Sequence, residues 1–162
     1  MKKLGFTLLK QIVVAGGIFV ASSSQASLIL AGAVDLQGTG LGAVATILTI
    51  SDIDDTERGL VRWNGLSDVT AGNTIAINQT RLFGDVGIET ASEIRIIFNA
   101  VEPDGGSINL NNLIMNIYAP DGTVLFSSGA FASQLFSGTN PGGGQAGFVF
   151  KLDPAQIIAA DF

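Results

Sequence analysis

Short apolar runs with a two-residue period, separated by glycine, asparagine, aspartate and proline, recur along the chain from about residue 27. Successive side chains of a strand point to opposite faces, so this period predicts antiparallel strands with one buried and one wet face. In 93–101, for example, Ile94, Ile96 and Phe98 are expected inside and Arg95 outside. Nine segments show this pattern, from which we expect about eight strands: 28–36, 43–50, 59–63, 74–78, 79–83, 93–101, 107–118, 123–127 and 148–152. Turns at this spacing predict an all-β fold, an antiparallel β-sandwich or jelly roll.

The alternation changes phase within 107–118, because Ile108 and Leu110 are even-numbered whereas the later apolar residues, Leu113, Met115 and Ile117, are odd-numbered. One strand cannot keep both sets on one face, so we expect a bulge or short turn at Asn111–Asn112. The next segment, 119–122, has proline at its second position and glycine at its fourth, which predicts a tight turn and a returning hairpin strand.

The sequence ends in a short helix pattern. Asp153 can cap a helix that begins at Pro154, and Gln156 completes a capping box. The expected helix, 154–162, is only about two turns long and stops on apolar Phe162 without a capping glycine. We therefore expect the sequence to be a fragment of a longer protein.

The amino-terminal residues have the three-part layout of a secretory signal: Lys2 and Lys3, an apolar stretch from Ile12 to Val20, and a small-residue site that ends at Ala26. The apolar stretch is too short to span a bilayer. The sequence thus predicts a signal peptide in 1–26, a single β-sandwich domain in 27–162, and a location outside the cell or on a bacterial cell surface. The alternative for the amino-terminal residues is a membrane anchor or an amphipathic first helix.

Cysteine and histidine are absent from the chain, which excludes thiolate and imidazole catalysis, disulfides and Cys- or His-ligated metal sites. Loss of residues 1–26 leaves five basic residues against fourteen acidic ones. With no basic patch to neutralise phosphates, a nucleic-acid partner is excluded. The expected protein is not an enzyme and requires no cofactor, with calcium as the one candidate ion.

Four segments carry a resemblance to a known family: "DLQGTGLGAVATILTI", "RGLVRWNG", "SEIRIIFNAVEPDGGSINLNNLIMNIYAPDGTVLFSSGAF" and "GQAGFVFKLDPAQ". Together with the signal, they resemble the extracellular part of PEP-CTERM proteins, bacterial exoproteins sorted by exosortase. The terminal Pro-Glu-Pro, membrane helix and basic tail that define this family are absent from the sequence. The resemblance implies residence at the cell surface or in a biofilm matrix, and it brings no catalytic residues.

An acidic cluster follows the expected strand 43–50 and consists of Asp52, Asp54, Asp55 and Glu57. Carboxylates on one loop are the ligands that Ca²⁺ prefers, so these residues are a candidate calcium site. The spacing is not that of an EF-hand loop, and a solvated charged loop is the alternative.

Trp63 is the only tryptophan and lies between Arg62 and Asn64. On an exposed face its ring could stack on a sugar while its two neighbours bond hydroxyls, which makes the three residues a candidate sugar platform. The alternative is a core position, where a lone tryptophan of a small β domain usually lies.

Three functions remain open. The first is an exported, non-catalytic surface or extracellular-matrix protein with a structural or adhesive β-sandwich, whose partners are extracellular polysaccharide or other matrix and surface proteins. The second is a calcium-assisted carbohydrate-binding module. The third is a carboxylate-dependent glycan hydrolase that uses two acids from separate loops, such as Glu102, Asp104 or Asp121. Membrane contact is expected only through the signal peptide or through an anchor beyond Phe162.

Overall fold

The computed structural model describes residues 27–35, 44–51, 56–100, 106–129, 131–137 and 146–160. Nine strands, two short 3₁₀ helices and one α-helix follow each other within these ranges. The strands are β1 (Ile29–Asp35), β2 (Gly59–Trp63), β3 (Asp68–Gly72), β4 (Arg95–Phe98), β5 (Ser107–Leu110), β6 (Asn116–Tyr118), β7 (Val124–Ser127), β8 (Gln134–Ser137) and β9 (Ala146–Lys151). The 3₁₀ helices are Gly84–Val86 and Ala91–Glu93, and α1 is Pro154–Ala159. The predicted all-β class with a short C-terminal helix is confirmed.

A three-stranded antiparallel sheet in the order β1-β9-β4 contains the centre of the core. Phe150 of β9 pairs with Leu30 of β1 and with Ile96 of β4, and its side chain is 0 % exposed. Ile94 is also buried and Ile96 packs against the core, whereas Arg95 is exposed. The faces predicted for Ile94, Arg95 and Ile96 from the two-residue period are therefore confirmed, although the strand ends at Phe98 rather than at residue 101.

Phenylalanine rings connect this sheet to the β5-β8 pair. The ring of Phe136 on β8 lies 5.6 Å from Phe98, 4.4 Å from Phe148 and 5.9 Å from Phe150, measured between ring centroids. Phe131 adds an edge-to-face contact with Phe150 at 5.2 Å. Edge-to-face and tilted packing of this kind stabilises a core beyond the area it buries. The sandwich or jelly-roll arrangement of the strands stays a prediction.

The phase change at Asn111–Asn112 marks a change of partner strand. Before it, β5 pairs with β8, and after it β6 pairs with β7. The side chain of Asn112 accepts a hydrogen bond from the backbone N–H of Phe131, which holds the connecting segment in place. The expected turn at 119–122 is present, closed by a bond from Gly122 N–H to Ala119 C=O, and β7 returns from it as predicted.

Three strand predictions are wrong. Within 44–50 only Ile50 forms a bridge, to Thr74, and neither 74–78 nor 79–83 is a strand. Ala76 has a φ of 53°, which a continuous strand does not allow. β3 and β8 were not expected from the sequence. β3 exists because the Asn64–Ser67 turn returns the chain directly onto β2.

Helix α1 begins as its sequence predicts. Asp153 accepts a bond from the Gln156 N–H at 2.7 Å, and the Gln156 side chain accepts one from the Asp153 N–H at 3.0 Å, which completes the capping box. Residues 161 and 162, the predicted end of the helix, lie outside the described residues, as does the predicted signal in 1–26. In the part of the chain that is described, no helix is both long and apolar enough to cross a membrane.

Candidate functional site

Trp63 and Glu57, the described member of the acidic cluster, lie on one extended hairpin, which we call the ribbon: its first arm comprises residues 44–51 and 56–63, and its second arm residues 68–79. The arms pair along β2 and β3 and again further from the turn. There, the Ile75 N–H donates to the Thr49 C=O at 3.0 Å and the Gln79 N–H donates to the Ile47 C=O at 2.9 Å. One hairpin, with regular strands at β2 and β3, thus carries Glu57 in its first arm and Trp63 beside its turn.

The residues on either side of the acidic cluster, Ser51 and Arg58, both bond to one residue of the second arm, Asn73. The Ser51 N–H donates to the Asn73 C=O at 2.9 Å, and the Asn73 N–H donates to the Arg58 C=O at 2.7 Å. The Asn73 side chain accepts a further bond from the Arg58 N–H at 3.3 Å. The two flanks of the acidic segment are therefore held together by three hydrogen bonds to one residue.

Of the four predicted calcium ligands, Asp52, Asp54 and Asp55 lie outside the described residues. Glu57 is described and is half-buried. Among the described residues, no three Asp or Glu side chains lie close enough together to hold a metal ion. Calcium binding by the acidic segment stays a prediction.

Trp63 is half-buried and its ring is fixed by a hydrogen bond. The indole N–H donates to the Pro120 C=O at 2.8 Å, so the one polar group of the side chain is satisfied by the protein itself. The ring is therefore neither a fully buried core residue nor a free platform. A sugar at Trp63 would have to stack on the remaining exposed surface of the ring.

The two neighbours of Trp63 have different surroundings. Arg62 is exposed, and because adjacent residues of a strand point to opposite faces, it lies on the other side of β2 from Trp63. The Asn64 side-chain oxygen accepts bonds from the N–H groups of Leu66 at 2.8 Å and Ser67 at 2.9 Å, which close the hairpin turn. The structure thus brings Trp63 and Asn64 to the turn and separates Arg62 from them.

The turn of the ribbon interlocks with the 119–122 turn; we call this contact the docked tip. Gly65 has a φ of 92°, and a Cβ added to it would overlap the Asp121 carbonyl. Gly122 has a φ of 88°, and a Cβ added to it would lie 2.5 Å from the Asn64 carbonyl carbon and 2.6 Å from the Gly65 nitrogen. Real Cβ atoms do not approach so closely, so each position requires glycine both for its backbone conformation and for space.

The sequence predicted the turn at 119–122, but neither the turn at Asn64–Ser67 nor the contact between the two. Asn64-Gly65 is nonetheless a tight-turn dipeptide, as is Asp121-Gly122. No local signal indicates that two turns so far apart in the chain touch. The position of Trp63 therefore depends on three residues whose role the sequence did not indicate: Gly65, Pro120 and Gly122.

Two described carboxylates outside the acidic cluster have shifted pKa values. Hydrogen bonds from the N–H and then the hydroxyl of Thr123 lower the pKa of Asp121. Hydrogen bonds from the N–H groups of Glu89 and Thr90 lower the pKa of Glu93. A general acid needs a raised pKa, so both shifts run opposite to that role. Glu102 and Asp104, the other acids considered for glycan hydrolysis, lie outside the described residues.

The ribbon stands apart from the core. Among the described residues, the buried core cluster and the partly buried residues packed on it include none from 44–79. Five aliphatic side chains of the ribbon are instead between 42 and 52 % exposed: Ile47, Ile50, Leu60, Ile75 and Ile77. Arg81 ties the ends of the two arms together through bonds from its guanidinium to the Thr46 C=O. The ribbon therefore presents apolar side chains to solvent on a frame held by hydrogen bonds.

Comparison with known proteins gives no further guide to the site. No family model matches the chain, and no significant match is found among curated proteins or among solved structures. The functional argument therefore depends on the residues and their geometry.

Proposed function

We propose that the protein is an exported, non-catalytic surface or extracellular-matrix protein whose β domain serves as a structural or adhesive module. The secretory layout of residues 1–26 and the resemblance to PEP-CTERM exoproteins support export to a cell surface, and the excess of acidic residues favours solubility there. The absence of cysteine and histidine from the sequence removes the commonest catalytic groups.

The observation that carries this proposal is that polar side chains in the second arm of the ribbon bind other segments of the chain. The Asp68 carboxylate accepts bonds from the Thr80 N–H at 3.1 Å and from its hydroxyl at 2.6 Å. The Asn78 side chain joins the two arms, accepting from the Thr49 N–H and donating to the Ile75 C=O. A carboxylate and an amide bound in this way hold the ribbon in place, which suits a structural or adhesive surface better than a catalytic one.

Export is tested by expressing the full chain with a C-terminal epitope in a Gram-negative bacterium and separating the cell compartments. The expected result is an exported product whose first residue is Ser27. The matched control is Val14→Arg, which places a charge in the apolar stretch and should keep the product in the cytoplasm. The same cytoplasmic location for both chains would overturn the exported part of the proposal.

The adhesive role needs a separate measurement on the exported protein. Beads coated with it are expected to aggregate with one another or to adhere to a matrix-forming cell surface. The same protein should release no new reducing ends from matrix polysaccharide. Beads that stay dispersed and bind no surface would contradict an adhesive role, and release of reducing ends would contradict a non-catalytic one.

A carbohydrate-binding module is the second candidate, favoured by the half-exposed and fixed ring of Trp63. The strand β2 spans four residue steps, so the ring lies about 13 Å along the ribbon from Gly59, where the acidic segment rejoins it. A polysaccharide that changes Trp63 emission, with a stronger effect in calcium than in chelator, would favour this candidate. Trp63→Phe should keep part of the affinity and Trp63→Ala should lose it, because only the former retains a stacking ring.

A further inference from the structure

The docked tip brings together two dipeptides of unusual chemical lability, Asn64-Gly65 and Asp121-Gly122. Asparagine is among the thermolabile residues of proteins, and a following glycine leaves its main-chain nitrogen unshielded by any side chain. We propose that Asn64 is a site of spontaneous deamidation that the docked tip suppresses, and that its isoaspartyl product cannot dock again.

The reaction needs only water. The Gly65 nitrogen attacks the side-chain carbonyl carbon of Asn64, the bond from that carbon to the amide nitrogen breaks, and ammonia leaves with the proton of the Gly65 N–H. Water then opens the resulting five-membered imide at either carbonyl. One opening gives aspartate with an ordinary main chain, and the other gives isoaspartate, whose main chain contains one additional methylene group.

The docked tip opposes the first step of this reaction. The side-chain oxygen of Asn64 is held by the N–H groups of Leu66 and Ser67, so the side chain must give up two hydrogen bonds before its carbonyl carbon can turn towards Gly65. The Gly65 nitrogen is itself covered by Gly122, since a Cβ on Gly122 would lie 2.6 Å from it. Attack therefore requires the two turns to separate.

The two products differ in whether they can return to the docked tip. Aspartate at position 64 keeps the oxygen that accepts the two turn hydrogen bonds and keeps the length of the main chain. Isoaspartate lengthens the main chain at the place where not even a Cβ fits on Gly65 or Gly122. A transient opening of the tip is thereby converted into a permanent one, in which the bond from Trp63 to the Pro120 C=O is lost.

Asp121 faces the same contact but is the poorer site. Its carboxylate accepts a bond from the Thr123 N–H at 2.9 Å, and an ionised carboxylate resists attack by a neutral nitrogen. The hydrogen bonds from Thr123 lower the pKa of Asp121, which favours this ionised form. The reaction is therefore assigned to Asn64.

To test the proposal, the full chain is incubated at mildly alkaline pH, and the deamidation of Asn64 is followed by peptide mapping that separates aspartate from isoaspartate. Deamidation in native protein is expected to be at least about tenfold slower than in the same chain unfolded in urea, which corresponds to ~1.4 kcal/mol of opening free energy. Gly122→Ala should accelerate the reaction, because it removes the docked tip and leaves the Asn64-Gly65 dipeptide intact. Gly84→Ala is the matched control, since a Cβ there meets nothing within 4 Å.

A second experiment compares the two products rather than the rates, and it does not depend on the folding of any glycine variant. Purified isoaspartyl protein should show Trp63 emission shifted to longer wavelength, whereas Asn64→Asp should retain the emission of the unmodified chain. Equal rates in native and unfolded protein would refute suppression by the docked tip. Identical emission from the isoaspartyl protein and Asn64→Asp would refute the loss of docking.

Discussion

The buried side chain of Gln156 should be one of the most costly to remove from this fold. It is 2 % exposed, and its amide donates to the Ser128 C=O at 2.8 Å while its oxygen accepts from the Asp153 N–H. Ser128 is buried in turn and bonds the backbone of Met115 through both its N–H and its hydroxyl. Gln156 therefore joins helix α1 to the start of β6 and the end of β7 through one buried polar network.

Gln156→Ala leaves the Ser128 carbonyl buried without this donor, which costs about 1–3 kcal/mol. It also removes the reciprocal half of the capping box, a loss of about 1 kcal/mol. The expected loss of unfolding free energy is thus about 2–4 kcal/mol, a fall in Tm on the order of 10 °C for a chain of this size. Urea denaturation followed by far-ultraviolet circular dichroism measures it.

Ile158→Ala is the matched control for this experiment, because Ile158 lies on the same helix and is 79 % exposed. Its substitution should change the unfolding free energy by no more than about 0.5 kcal/mol. If the two variants unfold at the same urea concentration, the buried network does not stabilise the fold in the way argued.

Three further predictions concern other parts of the domain. Gly72→Ala should destabilise the protein by about 1–3 kcal/mol in urea denaturation, because φ of Gly72 is 88° and a Cβ there would overlap the Arg58 carbonyl of the facing arm. Gly84→Ala should leave the stability unchanged, because a Cβ at Gly84 meets nothing within 4 Å. The ionised Glu93 carboxylate stabilises the fold fully above its ordinary pKa of 4.5, and this stability is lost as the pH falls through the lowered pKa of the folded protein. Glu93→Gln removes this contribution, so the urea midpoint of the variant should vary less below pH 4.5 than that of the unchanged chain. Phe150→Ala should cost about 3–5 kcal/mol because its ring is fully buried, while Leu135→Ala, on an exposed side chain, should cost under about 1 kcal/mol by the same measurement.

Local patterns predicted those features whose cause is local. The phase change at Asn111–Asn112 required a break in register, and the structure has one there. Asp153 and Gln156 are three residues apart, so their capping box was also visible in the sequence. β3 was missed because its short, half-polar sequence becomes a strand only through pairing with β2.

The candidate site was only partly predictable for the same reason. Trp63 and the acidic cluster stand out by residue type. The fixing of the Trp63 ring depends on Pro120, which lies on another turn far along the chain. The clamping of the acidic segment depends on Asn73, an asparagine with no distinguishing sequence pattern. Contacts between distant turns are set by the packing of the whole chain, and no single window of sequence encodes them.

The position of the ribbon outside the core determines how an adhesive contact would act on this domain. A two-stranded hairpin is marginally stable by itself in water, so the ribbon depends on its hydrogen bonds and on the docked tip. Segments with few buried apolar contacts open at lower free energy than the core, and the ribbon contributes no described residue to the core cluster. A partner that covers the exposed ribbon side chains should therefore slow amide exchange in β2 and β3 far more than in β9, since β9 is already held between β1 and β4. Equal slowing in all three strands would place the contact elsewhere on the domain.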